Sequence, residues 1–331
     1  MMGVPTDEKK PTIPTVFITI DTEEDFWGVF QAENNPVENV SEVPAVQRIF
    51  DRFGAIPTYL VNWPVVSDRK AVTVIRRIAD DGRCEVGTHC HPWNTPPYEE
   101  ELGAVNSMLS NLPPSLVWRK LESLHSRIAE RMGRAPVSFR AGRWGFNEPV
   151  AACLERLDYA VDTSVSPTMN WSGDGGPDFT DSIHVPYRFS AANTRKIDPA
   201  GKLLEVPATI GFWQPDHRKQ VTRFQKVRRL PRRLRLLGVL DRVGLLNHRW
   251  LSPEQSTAAD MIRLARGAVR DGNTSLNMCF HSNSLLPGIT PFVRDSAQLK
   301  EFLGRIQTFL EFAASSGFTF APLSRAPQQL A

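Results

Sequence analysis

Residues that could bind a metal ion follow directly after apolar runs of the sequence. One run leads into Asp21 and Glu23, and another leads into His89 and His91. Side chains alternate in extended backbone, so Asp21 and Glu23 should face one way, and the two histidines should likewise share a side. One carboxylate and two neutral imidazoles leave open positions on a zinc-like ion, which is typical of catalytic sites. The pattern predicts a divalent metal centre, with zinc as the expected ion.

Two further apolar runs end in residues suited to charge stabilisation and proton transfer. Arg140 stands at the end of one, and His281 stands at the end of the other. Each polar residue taken alone is better explained as a helix cap or as an ordinary polar residue at the rim of a fold. Because the ends of four apolar runs carry such residues, we favour the interpretation that these residues form one shared site.

The elements that must position these residues alternate between β-rich runs and helical patterns. This alternation predicts a parallel sheet with crossover helices. The candidate strands are 15–20, 56–62, 84–88, 137–140, 159–162, 203–206, 275–280 and 318–320. Seven or eight strands are a barrel-sized number, and in a parallel α/β barrel the active site forms at the carboxyl ends of the strands.

Three apolar stripes at helical spacing predict long helices. They cover 43–53, 116–128 and 299–310, and each is followed by a glycine. The first stripe has Pro44 near its first turn and lies between the first two strand candidates, so we interpret it as a crossover helix.

Composition excludes several classes of protein. The chain has 331 residues, 41% hydrophobic content and a net charge of +3, which does not indicate a nucleic-acid-binding protein. The four cysteines form no C-x-x-C pair, so we expect reduced thiols. The first apolar run is too short for a signal-peptide core, and no run approaches the roughly 20 residues of a membrane span. We therefore expect a cytoplasmic protein.

A basic insertion interrupts the predicted barrel at about 216–250. Residues 217–250 carry eleven lysines or arginines and a single acid, Asp241. Apolar residues recur there at helical spacing, although Pro231 must interrupt the helix. We prefer to interpret the insertion as a lid helix with a solvated charged face. The alternative is a surface that binds an anionic glycan, a diphospho-linked saccharide or an anionic membrane. The domain boundaries we expect are an arm at 1–14, one domain at 15–325 and a tail at 326–331.

Four motifs carry a resemblance to a known family. The segment 19–23 reads T-I-D-T-E, 89–91 reads H-C-H, 140–144 reads R-A-G-R-W, and 277–281 ends in His281. These segments are similar to the motifs of the NodB-type polysaccharide deacetylases, and the resemblance spans about 15–325. It implies that family's distorted barrel and its metal-dependent chemistry. The departures are Thr22, where the family has a metal-binding Asp, and the compressed spacing of the two histidines.

The resemblance also implies roles for individual residues. Asp21 would be the general base, Arg140 would orient it, and His281 would be the general acid. The metal-ligand role would pass from the Thr22 position to Glu23, with Asp25 as a weaker candidate. Either His91 completes the metal site from an extended loop, or His89 is the only imidazole ligand.

The expected function is a metal-dependent hydrolase that removes an N-acyl group, with acetyl expected, from an amino sugar of a bacterial glycan or glycan precursor. Trp93, Arg143 and Trp144 are the expected substrate-binding residues, since they follow the same strand ends. Two alternatives stay open. One is a deformylase or another carbon–nitrogen hydrolase acting on a sugar intermediate, and the other is a catalytically silent glycan-binding protein on the same barrel.

Overall fold

A nine-stranded sheet lies at the centre of the part of the chain that the structure describes. The structure is a computed structural model, and it describes residues 13–229 and 236–329. In chain order the strands are β1 Thr15–Thr22, β2 Thr58–Val61, β3 Glu85–Cys90, β4 Ser138–Ala141, β5 Val161–Asp162, β6 Tyr187–Phe189, β7 Leu203–Glu205, β8 Ile210–Phe212, β9 His248–Trp250, β10 Ser275–His281 and β11 Thr319–Phe320.

The main sheet has the order β10-β1-β2-β3-β4-β5-β7-β6, and β11 also pairs with β1. Every neighbouring pair in it is parallel except β6 with β7. The carboxyl ends of the parallel strands therefore lie along one rim. The sheet curls into a half-barrel, which confirms the predicted distorted (β/α) barrel.

Irregular backbone bridges the side of the barrel where the sheet does not close. The amide of Leu251 donates to the carbonyl of Thr209 at 2.8 Å, and the amide of Cys279 donates to the carbonyl of Leu251 at 3.1 Å. On the other flank, the amide of Ala208 donates to the carbonyl of Val165 at 3.1 Å. These bonds satisfy backbone groups that a closed barrel would satisfy by strand pairing.

Ten α-helices are present in the described residues. In chain order they are α1 Val43–Arg52, α2 Trp63–Ser67, α3 Arg69–Asp80, α4 Pro114–Met132, α5 Glu148–Arg156, α6 His217–Arg228, α7 Leu236–Arg242, α8 Ala258–Arg270, α9 Ser296–Ser315 and α10 Ala326–Gln329. The three predicted stripes are confirmed as α1, α4 and α9. The apolar positions of α1 are buried, and Asp295 caps α9 by accepting a hydrogen bond from the amide of Gln298 at 2.8 Å.

All eight predicted strands are present, but three short strands were not predicted. These are β6, β8 and β9, of three residues each. All three pair only in antiparallel fashion, so they lie outside the alternation of parallel strands and crossover helices on which the prediction relied. Strands β8 and β9 form a separate antiparallel pair at the two ends of the basic insertion.

The predicted termini and the cysteines are described only in part. Residues 1–12 of the expected arm and 330–331 lie outside the described residues, as do Pro231 and the rest of 230–235. The expected tail begins with α10, and its Ala326 is fully buried. The four cysteines are buried and free, in agreement with the expected reduced thiols. No helix in the described ranges combines the length and apolar character needed to cross a bilayer.

We expect substitution of Gly87 by alanine to destabilise the barrel. A Cβ at Gly87 would lie 2.6 Å from the Leu60 side chain and 2.8 Å from the carbonyl oxygen of Ser138, so β2, β3 and β4 would have to separate. Overpacking of this kind costs about 1–3 kcal/mol. Gly304 on α9 is a matched control, since nothing lies near its Cβ position, and alanine there should stabilise the helix by about 0.5–1 kcal/mol. Denaturant unfolding followed by circular dichroism measures both, and equal stability of the two variants would contradict the packing argument.

Candidate active site

A buried ion pair joins β1 and β4 at the rim of the sheet. Nη1 of Arg140 donates to Oδ1 of Asp21 at 2.7 Å, and the two residues are 1% and 4% exposed. Burial opposes ionisation of Asp21, but Arg140, helped by His89 and His281, holds its pKa below the ordinary value. Asp21 is therefore a carboxylate at neutral pH, as a general base must be.

Hydroxyl and amide groups complete the surroundings of Arg140. Its Nη2 donates to Oγ1 of Thr19 at 2.7 Å, and its Nε donates to the carbonyl of Thr163 at 3.0 Å. Asn277 on β10 accepts from Thr19 at 2.9 Å and donates to Thr163 at 2.8 Å. This network fixes the guanidinium and, through it, the orientation of Asp21.

A second buried carboxylate lies against two imidazoles. Oε2 of Glu23 is 3.2 Å from Nε2 of His89 and 3.2 Å from Nε2 of His91. The register of the strands brings the residues of the site together at one rim. His89 lies beside Arg140 in the pairing of β3 with β4, and Asp21 lies beside His281 in the pairing of β1 with β10. Among the described residues, this trio forms the one cluster whose donor atoms could hold a metal ion.

The other nitrogen of each ring faces an acceptor. Nδ1 of His89 lies 3.1 Å from the carbonyl oxygen of Arg140, and Nδ1 of His91 lies 3.0 Å from Oε1 of Glu24. Each Nδ1 must therefore carry a proton, which leaves Nε2 to face Glu23. In metal sites, the ring nitrogen that does not bind the ion typically donates to such an acceptor, and this contact orients the histidine.

The residues of the cluster fit a divalent cation. Without an ion, each ring could donate hydrogen bonds from both of its nitrogens only if both rings were protonated. Two imidazolium cations would then lie with their ring centroids 4.5 Å apart. A single divalent cation bound by neutral rings replaces those two protons. Donor atoms on a tetrahedral zinc, with bonds of about 2.0–2.1 Å, lie roughly 3.3 Å apart, which is close to the separations between Glu23 and the two rings.

Glu24 holds the second imidazole in place. Besides His91, it accepts hydrogen bonds from Nε1 of Trp93 at 3.2 Å and from the amide of Asn62. Trp93 also stacks on His91 with centroids 4.0 Å apart. In the protein alone, burial disfavours the charged form of His91, but Glu24 and Glu23 outweigh it and raise its pKa to about 10. No role was predicted for Glu24, because the groups that donate hydrogen bonds to it become evident only once β2 and β3 are placed beside β1.

The structure favours one of the two alternatives for the compressed histidine pair. The backbone of His91 is extended, with φ −93° and ψ 112°, so its side chain points to the same side as that of His89. Gly142 makes room for it, since a Cβ there would lie 2.5 Å from Cδ2 of His91. His91 therefore reaches the cluster.

Thr22 and Asp25 lie outside the cluster. The hydroxyl of Thr22 donates to the carbonyl of Ile20 at 3.0 Å. The carboxylate of Asp25 accepts from the backbone amides of Glu38 and Asn39, at 2.8 and 3.1 Å. Asp25 is thus committed to the short helical turn before α1, and it does not compete with Glu23.

His281 faces Asp21 from the opposite side. Its Nε2 is 3.8 Å from Oδ2 of Asp21, and 26% of its side chain is exposed to the cavity. Its Nδ1 is 3.0 Å from Oε2 of Glu254, which also accepts from Ser284. Burial would lower the pKa of His281, but Glu254 outweighs burial and raises it to about 10. The imidazole is therefore protonated at neutral pH and can act as an acid.

Sequence reasoning missed Glu254. It follows β9, which lies in the basic insertion and was not predicted, so no predicted strand end pointed to it. Trp27, whose ring packs edge-on against His281 at 4.8 Å, was missed as well. It lies six residues after Asp21 in an irregular segment, where spacing gives no signal.

A second pair of acids is buried behind Arg140. Asp162 and Glu205 are fully buried, and each has a carboxyl oxygen without a donor among the described residues. Burial raises the pKa of both groups, most strongly that of Glu205. A proton shared between them lets the two acids remain buried side by side.

All of the predicted site residues line one cavity of about 460 Å³. The cavity thus brings together Asp21, Glu23, the histidine pair, Arg140 and His281, as predicted. Nine phenylalanine and tryptophan side chains contribute to its walls. The aromatic residues are Phe26, Trp27, Phe30, Trp93, Trp144, Trp171, Trp250, Phe280 and Phe292.

The predicted substrate-binding residues lie in its wall. Arg143 and Trp144 both have left-handed backbone, with φ of 51° and 62°, a conformation that costs about 1–2 kcal/mol for each residue. This strained turn presents both side chains to the cavity. Arg143 is also bound to Asp174 at 3.0 Å and to Ser107 at 2.7 Å. The roles of the site residues remain predictions, although their positions agree with them.

Two solved structures have a similar fold. One is a candidate polysaccharide deacetylase from Mycobacterium smegmatis, which aligns with a TM-score of 0.51 and 17% identity over 97% of this chain and 91% of its own. The other is a candidate glycoside hydrolase/deacetylase from Parabacteroides distasonis, with a TM-score of 0.59 and 13% identity over 97% and 73%. The fold is that of the polysaccharide deacetylases. No protein-family model and no curated protein sequence matches the chain. The resemblance noted in the motifs is thus confirmed for the deacetylase fold.

We expect Glu24→Gln to weaken zinc binding by about 10- to 100-fold, as loss of an outer-shell partner typically does. The amide cannot supply the negative charge that orients His91 and makes it a better ligand. Competition for zinc against a colorimetric chelator measures the affinity. Asp25→Asn is the matched control, because this neighbouring acid contacts only the turn before α1. Equal zinc affinity in wild type and both variants would show that Glu24 does not support the site.

Proposed function

We propose that this protein is a metal-dependent hydrolase that removes an N-acyl group, with acetyl preferred, from an amino sugar of a bacterial-type glycan or glycan precursor. One observation carries the proposal. A carboxylate and two imidazoles converge on one point, with an ionised Asp21 on one side and a protonated His281 on the other.

Glu23, His89 and His91 would hold the ion, and zinc suits this donor set. A divalent cation bound there would polarise the acyl carbonyl and acidify water. The chain's own contribution is orientation, since Nδ1 of each ring is held by an acceptor and Nε2 is thereby directed at Glu23.

Asp21 would accept the proton of the attacking water. The ion pair with Arg140 keeps Asp21 ionised and prevents it from rotating away, because the guanidinium is itself fixed by Thr19 and Thr163. The Asp21 oxygen that does not bond Arg140 faces His281. Both groups therefore border the same volume, in which the amide carbon would lie.

His281 would protonate the departing amine nitrogen. An amine is a poor leaving group unless it is protonated, and Glu254 keeps the proton on His281 at neutral pH. Acid catalysis by a positioned side chain typically contributes about 100- to 10,000-fold. The quarter of the His281 side chain that is exposed gives it access to the substrate.

The aromatic walls support a sugar as the substrate. Tryptophan rings offer flat apolar faces on which the C–H groups of a sugar ring can pack. The volume of about 460 Å³ falls within the usual range for small-ligand sites. Trp93 is 6% exposed and already packed on His91, so Trp144 is the better placed platform.

We expect the zinc-loaded protein to release acetate from N-acetylglucosamine oligomers, and a strong chelator to abolish this release. Asp21→Asn should lower kcat by at least about 100-fold, because it removes the base, while zinc content stays unchanged. Acetate and formate are quantified in parallel on N-acetyl and N-formyl oligomers. Faster release of formate would assign the deformylase alternative. Full zinc content and glycan affinity with no release of either acid would assign the binding-protein alternative.

We expect Glu254→Gln to narrow the pH range of activity from the alkaline side. The protonated His281 is the active form, so activity falls as pH rises through its pKa. Glu254 raises that pKa to about 10 in the protein alone, and its loss should lower the pKa towards the ordinary value near 6.5. The alkaline limb of kcat against pH should then move to lower pH by at least about one unit. Glu301→Gln, at an exposed position on α9, is the control. An unmoved limb would show that Glu254 does not act on His281.

A further inference from the structure

The outer surface of the basic insertion carries many positive charges without acidic partners. We call this surface the basic face and define it by the exposed cations of α6 and of the end of α7, together with three apolar residues described below. The cations are Arg218, Lys219, Arg223, Lys226, Arg228, Arg229 and Arg242. No salt bridge among the described residues includes any of the seven.

Large apolar side chains flank Arg242 at the end of α7, a helix that contacts α6. Val239, Val243 and Leu245 are 54%, 59% and 58% exposed, within seven residues of each other and on both sides of Arg242. A lid helix that only packed on the barrel would turn such residues inwards. Clusters of exposed apolar residues rimmed by charge are typical of binding surfaces.

The basic face is firmly attached to the barrel. Phe224 on α6 stacks on His248 of β9 with centroids 4.5 Å apart, and His217 stacks on His184 at 3.7 Å. Gln225 donates to Asp181 at 2.7 Å. The inner side of α6 is therefore occupied, and its cations are left to face outwards.

The chemistry of the basic face fits an anionic bilayer better than other partners. Two copies of the face would repel each other. A nucleic acid or a soluble anionic glycan would neutralise the cations but leave the three aliphatic side chains in water. A bilayer surface satisfies both, since its phosphates bind lysine and arginine while valine and leucine enter the acyl boundary.

We propose that the basic face docks the protein on a membrane surface rich in anionic phospholipid. The face is continuous with the wall of the active-site cavity through β9, because His248 packs under α6 while Trp250 lines the cavity. Docking would thus bring the cavity close to the membrane surface. The inference does not depend on the proposed hydrolase activity.

Vesicle co-sedimentation of the full chain tests the proposal. The protein should bind vesicles of equal parts phosphatidylcholine and phosphatidylglycerol, and it should not bind vesicles of phosphatidylcholine alone. The triple variant Arg218→Gln, Arg223→Gln, Lys226→Gln should bind the anionic vesicles at least about tenfold more weakly, since each cation near the surface contributes a factor of about five.

A matched variant separates the basic face from charge in general. Arg69→Gln, Lys70→Gln, Arg77→Gln removes the same charges from α3, where all three residues are exposed, and it should bind as wild type does. The variant Val239→Ser, Val243→Ser, Leu245→Ser should bind the anionic vesicles more weakly. High salt should abolish the binding that remains, because that binding is electrostatic. Circular dichroism melting curves like that of wild type establish that each variant is folded.

Three results would overturn the proposal. The first is equal binding to the two kinds of vesicle, and the second is an equal loss of binding in the α3 variant. The third is binding to a soluble polyanion, such as dextran sulfate, that is as tight as binding to vesicles and is unaffected by the serine variant. That last result would assign the face to an anionic glycan.

Discussion

A guanidinium buried at the carboxyl end of β4 sets the strictest requirement in this structure. Arg140 keeps its charge at any physiological pH, so every donor it carries into the interior needs an acceptor. Asp21, Thr19 and Thr163 supply those acceptors from β1 and from the segment after β5. Leaving such a charge unpaired would cost about 3–5 kcal/mol. The strand ends must therefore meet at one level, and the same contacts leave Asp21 ionised and fixed.

The candidate metal cluster is built on this arrangement. The carbonyl of Arg140 accepts from Nδ1 of His89, so the strand that carries the buried cation also orients the first imidazole. The second imidazole is oriented by Glu24, which belongs to the same acidic segment as Asp21. Each ring therefore presents the same nitrogen to Glu23. Orientation by neighbours that are themselves held in place is the usual condition for a precise metal site.

The basic insertion links the chemistry to the outside of the molecule. Its strand β9 leads into Glu254, which holds the proton on His281, and Trp250 of that strand lines the cavity. The same strand supports α6 through His248. A segment that interrupts the barrel in sequence thus leads directly into Leu251, which bridges the open side of the barrel, and into Glu254, the partner of His281, and it carries the positive surface.

The sequence by itself determined the eight main strands, the long helices α1, α4 and α9, and the residues that end β1, β3, β4 and β10. These features depend on local periodicity and on the rule that parallel strands end at one rim. Only the tertiary structure decided which acids serve the site. Glu24 and Glu254 became partners of histidines, whereas Asp25 became a cap. The physical reason is that a carboxylate's role is set by the donors it meets across the fold, and Glu254 meets His281 from 27 residues away along the chain.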